Sequence, residues 1–397
     1  MRVNGIAPRR RARVVRASRA LSLGAAAALA HGGCASRARA VPRPGTVEIR
    51  DYLGDPSRAA AANETLSADP RQLWRTAAGR GSLGPVALGD AVAVVASVDR
   101  WVTALDLRTG RPYWRKRAEA PMGVGALVGG GKVYVAELGG GGRVVAMRLR
   151  DGRRLWRRAV GAVSSPMVLD GGTIYGVSRD GRAFALRADD GRPRWQRVVG
   201  GGSRTGPLVL RGLVALVTVA DTLVVLDAAS GRVETRRALP GGVAAPLARM
   251  DDSTLAVASP GGWMAAVALP SGEVRWRVDT GAPVAGSPAV TRDTLFALTE
   301  RCTLWAVPVG APAARDTLAL APLAADDGAP CTTVAAPGLV RGGVVVATVA
   351  GTLLYFDRAT RRLLWSRRLP GELRHPPGIR NGQLVAAPLL GDVVSFR

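Results

Sequence analysis

Few residues in this 397-residue chain have the types and spacing for chemistry. Asp106, Thr109 and Gly110 lie in ALDLRTGRPYW, residues 104–114, where a carboxylate, a hydroxyl and a turn precede Trp114 and could form a binding site. Adjacent carboxylates occur at Asp189–Asp190 and again in AADDGAPC, residues 324–331. Such pairs can ligate calcium but are also ordinary solvated turns. The glycine run GGGKV, residues 129–133, has a lysine where a phosphate loop would. Ala126 stands where its first glycine is required, though, and Val133 where Ser or Thr should hold magnesium, so a turn entering a strand is expected. Of the two histidines, His31 falls in the amino-terminal leader and His375 in ELRHPPGIR, a loop sequence. A Ser/His/Asp triad or a histidine-rich metal site therefore has almost no material, and neither catalytic nor metal-binding residues are assigned.

The first stretch recurs. AMRLRDGRRLW, ALRADDGRPRW, VLDAASGRVET and AVALPSGEVRW follow it, then the degraded AVPVGAPAARD and finally YFDRATRRLLW. Trp74 supplies an isolated end before the first copy, and GDVVSFR supplies a beginning after the last. The tryptophan positions are 74, 114, 156, 195, 235, 276, 316 and 365, of which 235 is Thr and 316 is Asp. Their spacings are 40, 42, 39, 40, 41, 40 and 49, a period near 40 with one insertion.

Each period carries four short strand candidates, in the first case near GPVAL, AVAVVAS, WVTALDL and PYWRKR, divided by Gly and Asp turns. Four antiparallel strands every 40 residues is the arithmetic of a propeller blade. The expected fold is all-β, an eight-bladed β-propeller of four-stranded antiparallel blades over residues 71–397. Residues 71–78 are expected to pair with the strands of 372–397 and close the ring. The repeat then has structural reasons. Ala104 and Ala146 allow close approach, while Gly110, Gly152, Gly191, Gly231 and Gly272 supply a positive φ before the outermost strand. Asp106, Asp227 and Asp357 accept backbone N–H bonds at the turn. Trp74, Trp114, Trp156, Trp195, Trp276 and Trp365 bury apolar area between blades.

Ala-x-Asp-x-x-Thr-Gly-x-x-x-Trp resembles the repeat of quinoprotein-type propellers, and Ala104, Asp106, Thr109, Gly110 and Trp114 match it at each position. One branch of that family consists of dehydrogenases that hold pyrroloquinoline quinone and calcium on the propeller axis, typically with adjacent cysteines. Here Cys302 and Cys331 are 29 residues apart and Asn381 is the one asparagine after the leader and tether, so no cofactor residue carries over and no cofactor is expected. The chain is more similar to the non-catalytic lipoprotein propellers of the BamB type. The resemblance implies docking on a BamA-like barrel-assembly subunit, and contact with nascent outer-membrane proteins, from the periplasmic face of the outer membrane. An exported quinoprotein-like oxidoreductase, or a propeller lipoprotein for another periplasmic ligand, is the alternative.

The amino terminus fits that setting. Arg9, Arg10, Arg11, Arg13, Arg16 and Arg19 precede a short apolar run at residues 20–30, with Gly32, Gly33 and Cys34 after it. This resembles a lipoprotein signal, although His31 occupies the usual Leu position. The expectation is a signal peptide over 1–33, lipidation at Cys34, and a flexible tether over 34–70. Ordinary secretion with cleavage near Cys34 is the other reading. Cys302 and Cys331 form an even pair in an exported chain and are expected to make a disulfide. No later apolar stretch is long enough to span a bilayer as a helix. The net charge is +25, and 53 of the 55 basic residues are arginine; without residues 1–33 there remain 48 basic and 30 acidic residues, a net +18. Genome composition explains such an excess, and a functional basic face is the competing explanation.

Overall fold

The computed structural model describes residues 63–239, 241–320 and 331–397. It contains eight four-stranded antiparallel sheets arranged as the blades of a propeller. Blade 1 comprises Ala87–Leu88, Val92–Ala96, Trp101–Asp106 and Pro112–Arg117, from the axis outward. Blades 2 to 7 repeat this order along the chain. Blade 8 takes Gly378–Arg380, Gln383–Ala386 and Val393–Phe396 from the carboxyl end and its outermost strand, Gln72–Thr76, from the amino end. That strand pairs antiparallel with Val393–Phe396 in the register Trp74↔Ser395 and Thr76↔Val393. The ring therefore closes by backbone hydrogen bonds, as the split repeat implied.

The strand sequences follow from their position. The second strand of each blade is buried on both faces, so VAVVA in blade 1 and GVVVA at Gly343–Ala347 are continuous apolar runs. The outermost strand is an edge. In blade 3, Pro193–Val198 buries only Trp195. The core consists of eight apolar clusters, one at each joint between adjacent blades; Val94 and Trp114 of blade 1, for example, pack with Val135 and Val145 of blade 2. No blade buries its own faces, so stability comes from neighbours and requires closure.

Residues 64–69, which fall in the tether by sequence, lie against blades 7 and 8. The Arg341 N–H donates to Glu64 O (2.8 Å) and the Gly382 N–H to Glu64 Oε2 (3.0 Å). Leu66 is buried in the cluster between these blades. No helix among the described residues is long and apolar enough to cross a membrane.

Candidate functional site

The repeated stretch forms the joint between blades. Gly110, Gly152, Gly191, Gly231 and Gly272 all have φ between +69° and +72°. At four of them a Cβ would lie 2.5–2.7 Å from the indole of the preceding blade: Trp74, Trp114, Trp156 and Trp195. Glycine is thus required both for the turn and for the indole resting on it. Each of these indoles donates Nε1–H to a backbone carbonyl of the same turn: Trp74 to Leu107 (2.8 Å), Trp114 to Leu149 (2.6 Å), Trp156 to Ala188 (3.1 Å) and Trp195 to Ala228 (2.9 Å). In blade 8 the turn is interrupted by the chain ends, and Ser67 O from the amino-terminal segment accepts from Trp365 instead (3.2 Å). The small residue of the repeat stands opposite the tryptophan across the outer ladder, as in Ala104↔Trp114 and Ala146↔Trp156.

The aspartates cap this turn. Asp106 Oδ1 accepts from the Thr109 N–H, Asp227 Oδ1 from the Ser230 N–H and Asp357 Oδ1 from the Thr360 N–H. Burial pushes the Asp106 carboxyl up, but bonds from Tyr113 Oη, the Thr109 N–H and the Thr109 hydroxyl outweigh it and hold the group below its ordinary value. The Ser230 hydroxyl and N–H hold Asp227 low, and the Thr360 N–H and hydroxyl hold Asp357 low. These carboxylates are occupied by their own turns. Among the described residues no group of three or more His, Cys, Asp or Glu side chains could hold a metal ion.

A second repeated turn, not picked out from the sequence, joins the second and third strands. A buried Ser or Thr accepts the N–H four residues on: Ser97 from Trp101, Ser178 from Arg182, Thr299 from Thr303, Thr348 from Thr352. No residue is common to all four intervening triplets (VDR, RDG, ERC, VAG), so no motif announces it. Val98, Val219 and Leu390 project from these turns as exposed aliphatic side chains. On the same face, loops ending in Pro85, Pro166, Pro207, Pro246, Pro288, Pro337 or Pro377 lead into the innermost strands. Glu64 and the tryptophan-bearing turns belong to the opposite face.

The proline loops leave little space where they meet. A Cβ on Gly125 would lie 3.1 Å from Gly84 Cα, and one on Gly206 would lie 2.3 Å from Pro166 O. The cavity lined by Pro85, Gly125, Ala126, Pro166 and Met167 measures about 10 Å³, room for a single water at most. A tricyclic quinone with its calcium would not enter this cavity.

The joint between blades 6 and 7 has neither the tryptophan nor the glycine. Asp316 holds the tryptophan position of blade 6, and Arg361, at φ +58°, holds the glycine position of blade 7; the two form an ion pair. Between the blades lies a cavity of about 470 Å³ with Phe296, Leu304, Leu318 and Phe356 in its wall. At the other substituted position, Thr235, Leu223 and Arg237 take the place of the indole: a Cβ on Gly272 would lie 3.1–3.2 Å from them.

Cys302 and Cys331 are joined as a disulfide, with Cα atoms 5.7 Å apart, at the base of the insertion whose residues 321–330 lie outside the described residues. Cys34 and the leader also lie outside them. His375 sits in the proline loop of blade 8, where desolvation, with Arg374 beside it, pushes the imidazole down to about 4.

The model of the family described as outer membrane protein assembly factor BamB matches residues 61–162, 140–234 and 233–328. Outer membrane protein assembly factor BamB of Burkholderia pseudomallei (strain K96243) is 27% identical over 270 residues, 65% of this chain and 55% of that protein, so the match spans little more than half of the relative. Among solved structures, BamB from Moraxella catarrhalis superposes with a TM-score of 0.61 at 16% identity, covering 84% of this chain and 99% of the other. A quinohemoprotein alcohol dehydrogenase from Pseudomonas putida HK5 does so with 0.63 at 12%, covering 89% and 80%. Those two likenesses speak to the propeller alone. The family match, continuous from residue 61 to 328 across repeats whose joints are now accounted for, means that this chain belongs to the BamB family of propellers.

Proposed function

We propose that this protein is a non-catalytic periplasmic scaffold. It would be held at the outer membrane by a lipid on Cys34 and support insertion of β-barrel proteins through contact with a BamA-like subunit. The observation that carries this reading is the family match over most of a closed eight-bladed ring whose repeated residues are used up in joints and turns. Two further features support it. Val98, Val219 and Leu390 offer exposed aliphatic contacts on one face, while the segment leading back to Cys34 meets the ring at Glu64 on the other.

The deciding experiment is co-purification from detergent-solubilised membranes. Tagged protein should bring down the barrel-assembly subunit, and a clean null would sink the proposal. Cys34→Ser should abolish radiolabelled palmitate incorporation and release the protein from the membrane fraction. Cys302 and Cys331 should resist alkylation in the native, unreduced protein. The oxidoreductase reading predicts quinone absorbance and calcium-dependent dye reduction by the purified protein; its support is the likeness of fold to the alcohol dehydrogenase.

A further inference from the structure

The joint between blades 6 and 7 lacks the tryptophan and has Arg361 in place of the glycine beneath it, but keeps the aromatic wall and the small central residue. In blade 2, Tyr134, Ala146 and Trp156 stand side by side across three strands, and in blade 3 Tyr175, Ala185 and Trp195 do the same. The ring centroids are 5.9 and 6.0 Å apart, tilted by 43° and 46°. Tyrosine and tryptophan of each pair donate to one carbonyl of the next blade, Ala188 O or Ala228 O. Blade 6 has Phe296, Ala306 and Asp316 in the same register. The aromatic wall and the small central residue are kept. The acceptor position is Arg358 O, and it receives neither donor, since phenylalanine has no hydroxyl and aspartate no N–H. The Arg358 guanidinium lies 5.7 Å from the Phe296 ring, and the Asp316–Arg361 pair stands at the rim. The cavity of about 470 Å³ falls in the range of small-ligand sites, roughly 300–1,000 Å³.

We infer that this gap is a binding site for one tryptophan side chain from a partner polypeptide. The indole would stack on Phe296, donate its N–H to Arg358 O and pass under the Asp316–Arg361 pair. The charges around the opening, Arg292, Asp293, Asp316, Asp357, Arg358 and Arg361, sum to zero, which suits a neutral ring. The chain's own intact joints identify the occupant, so the inference does not rest on the barrel-assembly reading. The site opens on the face of the tryptophan-bearing turns, opposite Val98 and Val219.

The test is ¹⁹F line broadening of a capped Gly-(5-fluorotryptophan)-Gly peptide titrated with the full-length protein. Binding is expected, and 1-methylation of the indole should weaken it about tenfold by removing the single N–H donor. Asp316→Trp combined with Arg361→Gly, which restores the glycine that each intact indole rests on, should refill the joint, raise the thermal midpoint and weaken binding at least tenfold. Ala306→Met, which fills the gap from the opposite strand, serves the same purpose should the first variant fail to fold. Absence of binding, equal affinity of the methylated peptide, or undiminished binding by the filled variants would each overturn the inference. So would binding of free 5-fluoroindole without binding of the peptide.

Discussion

Gly152 and Gly172 share almost the same backbone, with φ of +69° and +70°, yet only the first is covered. A Cβ on Gly152 would lie 2.7 Å from Trp114, whereas one on Gly172 would meet nothing within 4 Å. Gly172→Ala should therefore cost only the left-handed strain, about 1–2 kcal/mol. Gly152→Ala adds overpacking of a further ~1–3 kcal/mol, and urea denaturation of the two variants separates the components. His375 contributes through protons. The unfolded chain, with an imidazole near 6.5, binds a proton between that pH and about 4 that the folded chain does not. The associated stability is complete above 6.5 and is lost as pH falls toward 4, by at most about 3 kcal/mol. His375→Gln should flatten the pH dependence of the urea midpoint between 4 and 6.5. An unchanged slope would place its origin elsewhere.

At the scale of the blade, arginine excess acquires a structural use. The outermost strands read PYWRKR, RLWRRA, PRWQRV and LLWSRR, with basic side chains exposed along unpaired edges. Charge on an edge strand blocks pairing with another molecule. Replacing Arg194 and Arg197 of blade 3 together by valine should leave the thermal midpoint nearly unchanged but produce concentration-dependent oligomers in light scattering. The tryptophan-bearing turn was legible in sequence because its glycine and tryptophan recur together at four joints, each packed on the other. The second turn was hidden because one hydroxyl and a suitable backbone suffice, and the residues between are free to vary. Thr235 and Asp316 were both legible as lapses in the repeat. Only packing shows that Leu223 and Arg237 fill one lapse while the other stays open.

At the scale of the ring, closure draws on the amino-terminal segment: the ladder of Gln72–Thr76, the Trp74 indole on Leu107 O, Ser67 O beneath Trp365, and the Glu64 and Leu66 contacts with blades 7 and 8. Trp74→Ala should cost about 3–5 kcal/mol, the range for emptying a buried aromatic site. The loss should appear as a lower midpoint of the whole transition rather than a separate early step, because the opened joint exposes faces of blades 8 and 1 together. Two resolved transitions in calorimetry would show that the blades unfold independently.

Period, strand count and the split eighth blade were determined by sequence, since each follows from residue types recurring at fixed intervals: glycine at a positive φ, an alternating or continuous apolar strand, a large ring on the edge. The extent of the amino-terminal contribution was not, because Glu64, Leu66 and Ser67 take part through two backbone carbonyls, one carboxylate and one side chain that carry no repeat signature. Nor was the open slot between blades 6 and 7. Asp316 announced a missing tryptophan, but whether the space collapsed depended on Phe296, Ala306, Arg358 and Arg361, which come from two blades and meet only when the ring is built. Local chemistry is written along the chain, whereas a cavity belongs to the joint between two segments and appears only once they pack.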